Sequence, residues 1–251
     1  DSITVTGGKL TISNSEIGTT LNGTNTITIS GGELVLTDAI ISAWSSSVIN
    51  ISGGTVTGTG EYEGFIGSEP TLIAAGIVNI TGGIIDIPML AAEFDRLSIN
   101  GNTAVFVESL SNFGDSSIGL TDSDYTFTKG ILIVGNSGTA KGEITLPGSV
   151  TIQSGKTLNF VNGASITNPE LLIVEEGATI LVDGQPCPHN SYTDGICDLC
   201  DCACPHNSYT DGICDACGYA CTHETLINGL CNTCATQFVA SLTIGEDITC
   251  Y

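Results

Sequence analysis

Basic side chains are almost missing from this sequence. Five lysines and arginines stand against 27 aspartates and glutamates, for a formal net charge of −22. Arg96 is the one arginine, and residues 157–251 carry no lysine or arginine at all. Nucleic acid and anionic membrane surfaces, which need basic patches, are thereby excluded as expected partners. No apolar run approaches the ~20 residues of a membrane-spanning helix, so membrane insertion is not expected. No secretory leader is legible, and Asp1 falls in mid-pattern for a strand. The chain is therefore expected to be a trimmed piece of a longer precursor. Helical periodicity is also scarce, and only Met89 to Arg96 suggests a turn or two of helix.

What fills the space is a repeat. Ile27-Thr28-Ile29-Ser30-Gly31-Gly32-Glu33-Leu34-Val35-Leu36 recurs as Ile3–Ile12, Ile49–Val56 and Val78–Ile87, and in degraded form as Leu97–Phe106. The first glycines lie 24, 22, 29 and 19 residues apart, within the range of repeat architectures. Each copy is an alternating strand, a glycine corner and a second alternating strand. Alternation sends Ile3/Val5, Ile27/Ile29, Ile49/Ile51, Val78/Ile80 and Leu97/Ile99 to one face. Leu10/Ile12, Leu34/Leu36, Val56 and Ile85/Ile87 resume that face after the corner. One such rung buries too little to stand alone, so rungs must stack over a shared core. The expected fold is all-β, a parallel β-helix over residues 1–186. The segment Gly58 to Ser68 is expected to bulge out as a loop.

After a less regular stretch, a second rung style follows. Ser149–Ile152, Lys156–Phe160, Leu171–Val174 and Ala178–Val182 alternate, punctuated by Gly155, Gly163, Gly177 and Gly184. This is expected to continue the same solenoid with shorter turns. The outward residues Thr4/Thr6, Thr28/Ser30, Asn50/Ser52, Asn79/Thr81 and Ser98/Asn100 would make a flat polar lattice. An ice-binding face is one reading, and ordinary solvent-facing strand residues is the plainer one, taken here.

Residues 187–234 are a different material. Cys187-x-His189-x7-Cys197-x2-Cys200 recurs as Cys204-x-His206-x7-Cys214-x2-Cys217 and as Cys221-x-His223-x7-Cys231-x2-Cys234, with a period of 17 residues. All three histidines of the protein fall at the same place in this unit. Three thiolates and an imidazole match a closed tetrahedral Zn²⁺ site, so three structural zinc sites are expected in a small metal-ribbon module. Thr193-Asp194-Gly195, Thr210-Asp211-Gly212 and Asn228-Gly229 would turn a small hairpin in each copy. With so few apolar residues, the metal would supply the folding free energy. Disulfides are the alternative, although they require no histidine at a fixed offset. Of the 11 cysteines, Cys202 and Cys250 lie outside the motif. Residues 235–251 return to strand-like alternation. Asp122-Ser123-Asp124 offers hard oxygen ligands for Ca²⁺, against the plain reading of a solvated loop.

The Gly-Gly-x-Leu-x-Ile rungs, the Leu146-Pro147-Gly148-Ser149-Val150-Thr151-Ile152 rung and the repeated Cys-x-His…Cys-x2-Cys units resemble the large repetitive cell-surface proteins of Gram-positive anaerobes. That resemblance implies an extracellular β-solenoid with an adhesive or structural role. Residues 239–251 resemble the start of a further module in such proteins. The expected function is thus non-enzymatic: a cell-surface protein joined to copies of itself or to other surface modules, in its sharpest form a filament subunit. A carbohydrate-binding module is the alternative, with Trp44, Tyr62 and Phe65 as a glycan platform. A polysaccharide lyase or glycoside hydrolase would need paired carboxylates, and Asp86, Asp95, Asp122 and Asp124 sit in no motif that joins them.

Overall fold

A computed structural model of the chain describes residues 2–18, 25–64, 67–113 and 115–186, together with short strand pairs in the remainder. The chain divides into two units, Asp1–Pro186 and Cys187–Tyr251. The first is an all-β parallel solenoid of about seven turns. Its strands open with β1 (Ser2–Val5), β2 (Lys9–Gly18), β3 (Thr26–Thr59), β4 (Glu61–Gly64), β5 (Gly67–Pro70) and β6 (Leu72–Ala92). They continue with β7 (Leu97–Asn112), β8 (Asp115–Gly119), β9 (Thr126–Val134) and β10 (Ser137–Ile144). The last are β11 (Val150–Ile152), β12 (Thr157–Ile166), β13 (Leu172–Val174), β14 (Thr179–Val182) and β15 (Gln185–Pro186).

The repeat sets the register. Ile3 pairs with Ile27, Ile49 with Val78, and Val78 with Leu97, all in parallel. The inward residues Ile27, Ile29, Ile49, Ile51, Val78, Ile80, Leu97 and Ile99 are each at most 3% exposed. Leu10 is 38% exposed, because it belongs to the first rung and is covered from one side only. The paired glycines have separate reasons. At the first, an added Cβ would collide with the rung beneath: 2.7 Å from Thr6 O at Gly31 and 2.7 Å from Ser30 O at Gly53. At the second, Gly8, Gly32, Gly54 and Gly83, φ lies between +70° and +90°, where an L side chain is strained. Within the segment expected as a loop, Gly58 and Thr59 still belong to β3, and β4 and β5 form an antiparallel hairpin.

Two expectations need correction. Met89 to Ala92 is no helix. It finishes β6 in parallel pairing with β7, Met89 opposite Ser109 and Leu90 opposite Leu110. Leu90 is fully buried there, so stacking on a neighbouring rung outweighs any local helical preference.

The second correction is larger. The chain does not wind on in one direction after β9 but reverses. Strand β10 runs antiparallel to β9, with Val134 opposite Ser137 across the two-residue loop Gly135-Asn136. Gly135 has φ of +58°, and Asn136 is not in the left-handed region, as a type II′ hairpin turn requires. Strands β12 and β14 then follow β10 in parallel. All remain in one sheet, ordered β1-β3-β6-β7-β9-β10-β12-β14.

The reversal gives one sheet two cores on opposite faces. Leu132 and Val105 belong to the core enclosed by β1 to β9. Alternation sends Ile131, Ile133 and Ala104 to the other face, yet all three are 0% exposed. They meet the second coil, whose own inward residues Ala140, Ile144, Leu158 and Phe160 are buried as well. A bond of 3.0 Å from Thr145 N to the Asn102 side chain holds the returning segment against β7. The run Ile131-Leu132-Ile133-Val134 does not alternate because both of its faces are covered.

Candidate functional site

Two clefts lie against the shared sheet, one on each face. The first cleft, about 570 Å³, opens where residues 149–156 of the second coil pass over the outer faces of β6 and β7. Inward Ile85 and Ile87 leave Asp86 pointing out, and inward Val105 and Val107 leave Phe106 and Glu108 pointing out. Asp86 and Phe106 are direct cross-strand neighbours. Lys156 comes from the turn before β12 and is mostly buried. Its ammonium lies 3.3 Å from Glu108 Oε1 and donates to Gly135 O at 2.8 Å. Asp86 makes no hydrogen bond or ion pair among the described residues. Partial burial pushes its carboxyl above the usual carboxylate range, the Lys156 ammonium opposes this, and Glu108 adds to it.

The second cleft, about 760 Å³, lies on the opposite face, where the first core ends. Its floor is Thr139 and Asn159, register neighbours on β10 and β12. Tyr125 and Phe127 wall it while also packing against the first core. The Tyr125 hydroxyl donates to Asp122 Oδ1 at 2.8 Å; burial first, and this bond second, push the phenol well above its ordinary value. Lys141 Nζ sits 4.7 Å from the Phe127 ring centroid and donates to Phe127 O at 3.2 Å.

Of the carboxylates singled out in the sequence, Asp86 faces the first cleft and Asp122 the second. Asp95, with φ of +62°, occupies the turn between β6 and β7. Asp124 accepts from both the backbone N–H and the hydroxyl of Thr121, which holds its carboxyl below the usual range. Both carboxylates of the Asp122-Ser123-Asp124 segment are therefore bonded within their own turn. Among the described residues no three His, Cys, Asp or Glu side chains converge as a metal site. Tyr62 packs with Met89 and Phe113 on a small cluster around Ile40 and Leu72. Phe65 and the Trp44 side chain lie outside the described residues. In the outward lattice, Asn79 Nδ2 donates to Asn50 Oδ1 at 3.0 Å, stitching two rungs. Glu108, Phe106 and Lys156 were missed from sequence, since nothing local marks Lys156 as a neighbour of β7.

The second unit is described only as short strand pairs. Tyr192–Thr193 pairs with Ile196–Cys197, Tyr209–Thr210 with Ile213–Cys214, and Leu226–Ile227 with Leu230–Cys231. Each is the antiparallel hairpin expected between the two halves of a Cys-His unit, and the register repeats: Tyr192 opposite Cys197, Tyr209 opposite Cys214, Leu226 opposite Cys231. Cys187, His189, Cys200, Cys204, His206, Cys217, Cys221, His223 and Cys234 lie outside the described residues, as do the side chains of Cys197, Cys214 and Cys231. The structure therefore does not support the expected metal-ribbon module, whose ligand side chains all lie outside the described residues. Ala240–Ser241 pairs with Thr249–Cys250, so part of the last strand-like segment finds a partner within the chain. Among the described residues no helix is long and apolar enough to cross a membrane. No family model matches the chain, and no curated protein or solved structure does so either.

Proposed function

We propose that the protein is a non-enzymatic structural and adhesive element of the cell exterior, a stiff solenoid spacer that joins rung to rung with copies of itself or with other surface modules. The observation that carries this reading is the stacked repeat itself: Ile3 pairs with Ile27, Ile49 with Val78 and Val78 with Leu97, all over one continuous buried core. A stack held by such nearest-neighbour contacts is extended by any further rung of the same pattern. The match of the rung repeat to an extended stack, and the acidic composition with its solubility, support the same reading. Cys187, His189, Cys197 and Cys200 would hold one Zn²⁺, Cys204, His206, Cys214 and Cys217 a second, and Cys221, His223, Cys231 and Cys234 a third. When bound, zinc would lock each hairpin by joining thiolates and imidazole in one tetrahedron.

Negative-stain imaging with and without a strong chelator, with bound metal quantified in parallel, tests the reading. Ordered fibres carrying three zinc ions per chain are expected. Monomers that retain the metal would remove self-assembly. Metal-free protein without free thiols would replace zinc by disulfides.

A carbohydrate-binding role is the second reading. It is favoured by the two clefts, which combine half-buried aromatic rings with hydroxyl, amide and carboxylate groups.

A further inference from the structure

The cleft at Asp86 holds polar groups whose bonding capacity is unspent. Asp86, Ser149, Thr151 and Gln153 all line it, and none of their side chains bonds to another group among the described residues. The one basic group, Lys156, is already engaged by Glu108 and by the Gly135 carbonyl. With Asp86 and Glu108 set against Lys156 alone, the wall carries net negative charge, and no hydrogen bond or ion pair engages Asp86 among the described residues. Phe106, directly across from Asp86 on the next strand, places an aromatic ring beside that carboxylate.

A carboxylate next to a ring suits an organic ammonium ion, which takes a charge-assisted bond from one and rests on the other. A bare metal ion is a poor fit, because no third carboxylate, cysteine or histidine converges there. An anion is a poor fit as well, given two carboxylates and a chain of net charge −22. The remaining groups, two hydroxyls and an amide, match a ligand that carries hydroxyls of its own. A volume of about 570 Å³ admits sugar rings rather than a single small ion.

We propose that this cleft binds an amino sugar with a free amine, its ammonium group held by Asp86 beside Phe106 and its hydroxyls by Gln153 and Thr151. The site goes beyond the structural role and does not depend on self-assembly, so the imaging result and the binding result can fail separately. The raised Asp86 carboxyl agrees with a site that takes a cation: burial disfavours its charge, Lys156 opposes this only in part, Glu108 adds to it, and a bound ammonium would favour the charge. The charged groups facing it are Glu108 and Lys156. Acidification should therefore release the ligand at a higher pH than an ordinary aspartate would.

The test is calorimetric titration of the full chain at low ionic strength with the β-linked tetramer of glucosamine, its N-acetylated counterpart and a lysine tripeptide. The glucosamine tetramer should bind at least about tenfold more tightly than the N-acetylated one, which lacks the charge. Asp86→Asn should lose about tenfold or more, and Gln153→Ala a smaller factor. Both positions are exposed, so the fold should survive, as circular dichroism would verify. Equal binding of the two tetramers, unchanged affinity in Asp86→Asn, or no binding at all would overturn the proposal. Equally tight binding of the lysine tripeptide would overturn the assignment to a sugar.

Discussion

The two coils of the solenoid turn their corners by different means. In the first coil the corner is a pair of glycines stacked on the pair below, so closely that backbone meets backbone. A Cβ at Gly54 would lie 2.6 Å from Gly32 O, in addition to the strain of φ at +80°. In the second coil Gly155, Gly163 and Gly184 also have positive φ, yet a Cβ added there would meet nothing within 4 Å. Side chains bridge successive rungs of that coil beyond the backbone ladder. Asn168 bonds Leu146 twice, at 2.8 Å through its oxygen and 3.0 Å through its nitrogen, and Asp183 Oδ1 accepts from Asn162 N at 2.9 Å. One glycine type thus answers two constraints. At Gly32 and Gly54 space and φ both demand it, whereas at Gly155, Gly163 and Gly184 φ alone does.

Substitutions sharpen that contrast. Gly54→Asn supplies a residue tolerant of positive φ but not of collision, and it should cost on the order of 4 kcal/mol or more, seen as loss of the cooperative denaturant transition. Phe160→Ala, at the centre of the second core and 1% exposed, should cost about 3–5 kcal/mol in the same assay. Asn168→Ala removes both bonds to Leu146 and should lower stability by about 1–3 kcal/mol, leaving the first coil intact by hydrogen exchange. The smallest effect belongs to Gly163→Asn, expected within about 1 kcal/mol of wild type because asparagine tolerates the left-handed conformation. If Gly163→Asn proved as damaging as Gly54→Asn, the contrast between the coils would be lost.

Much of this was legible in the sequence because the signals are local and repeated. The Gly-Gly rungs announced both register and core, and Gly155, Gly163, Gly177 and Gly184 all occupy positive-φ turns, as their punctuation suggested. The hairpins of the Cys-His units followed from turn residues alone. The reversal after β9 also had a signal that went unread. Gly135-Asn136 between two strands is hairpin chemistry, and Ile131 to Val134 breaks alternation where a strand is buried on both faces. The cleft was not legible. Asp86, Phe106 and Glu108 sit on neighbouring rungs, but Lys156 reaches Glu108 across 48 residues only because the chain turns back. Periodicity places residues on a face. It does not say which face a later coil will cover.

The central structural claim is that β9 is covered on both faces, and it can be tested with two neighbouring residues. Leu132→Thr and Ile133→Thr should each lower the unfolding free energy by about 2 kcal/mol or more, since each places a hydroxyl and a cavity in a different core. A solenoid that wound on in one direction would leave one of these two side chains facing water. If either substitution left stability within about 0.5 kcal/mol of wild type, as surface changes do, the two-core account of the sheet would be contradicted.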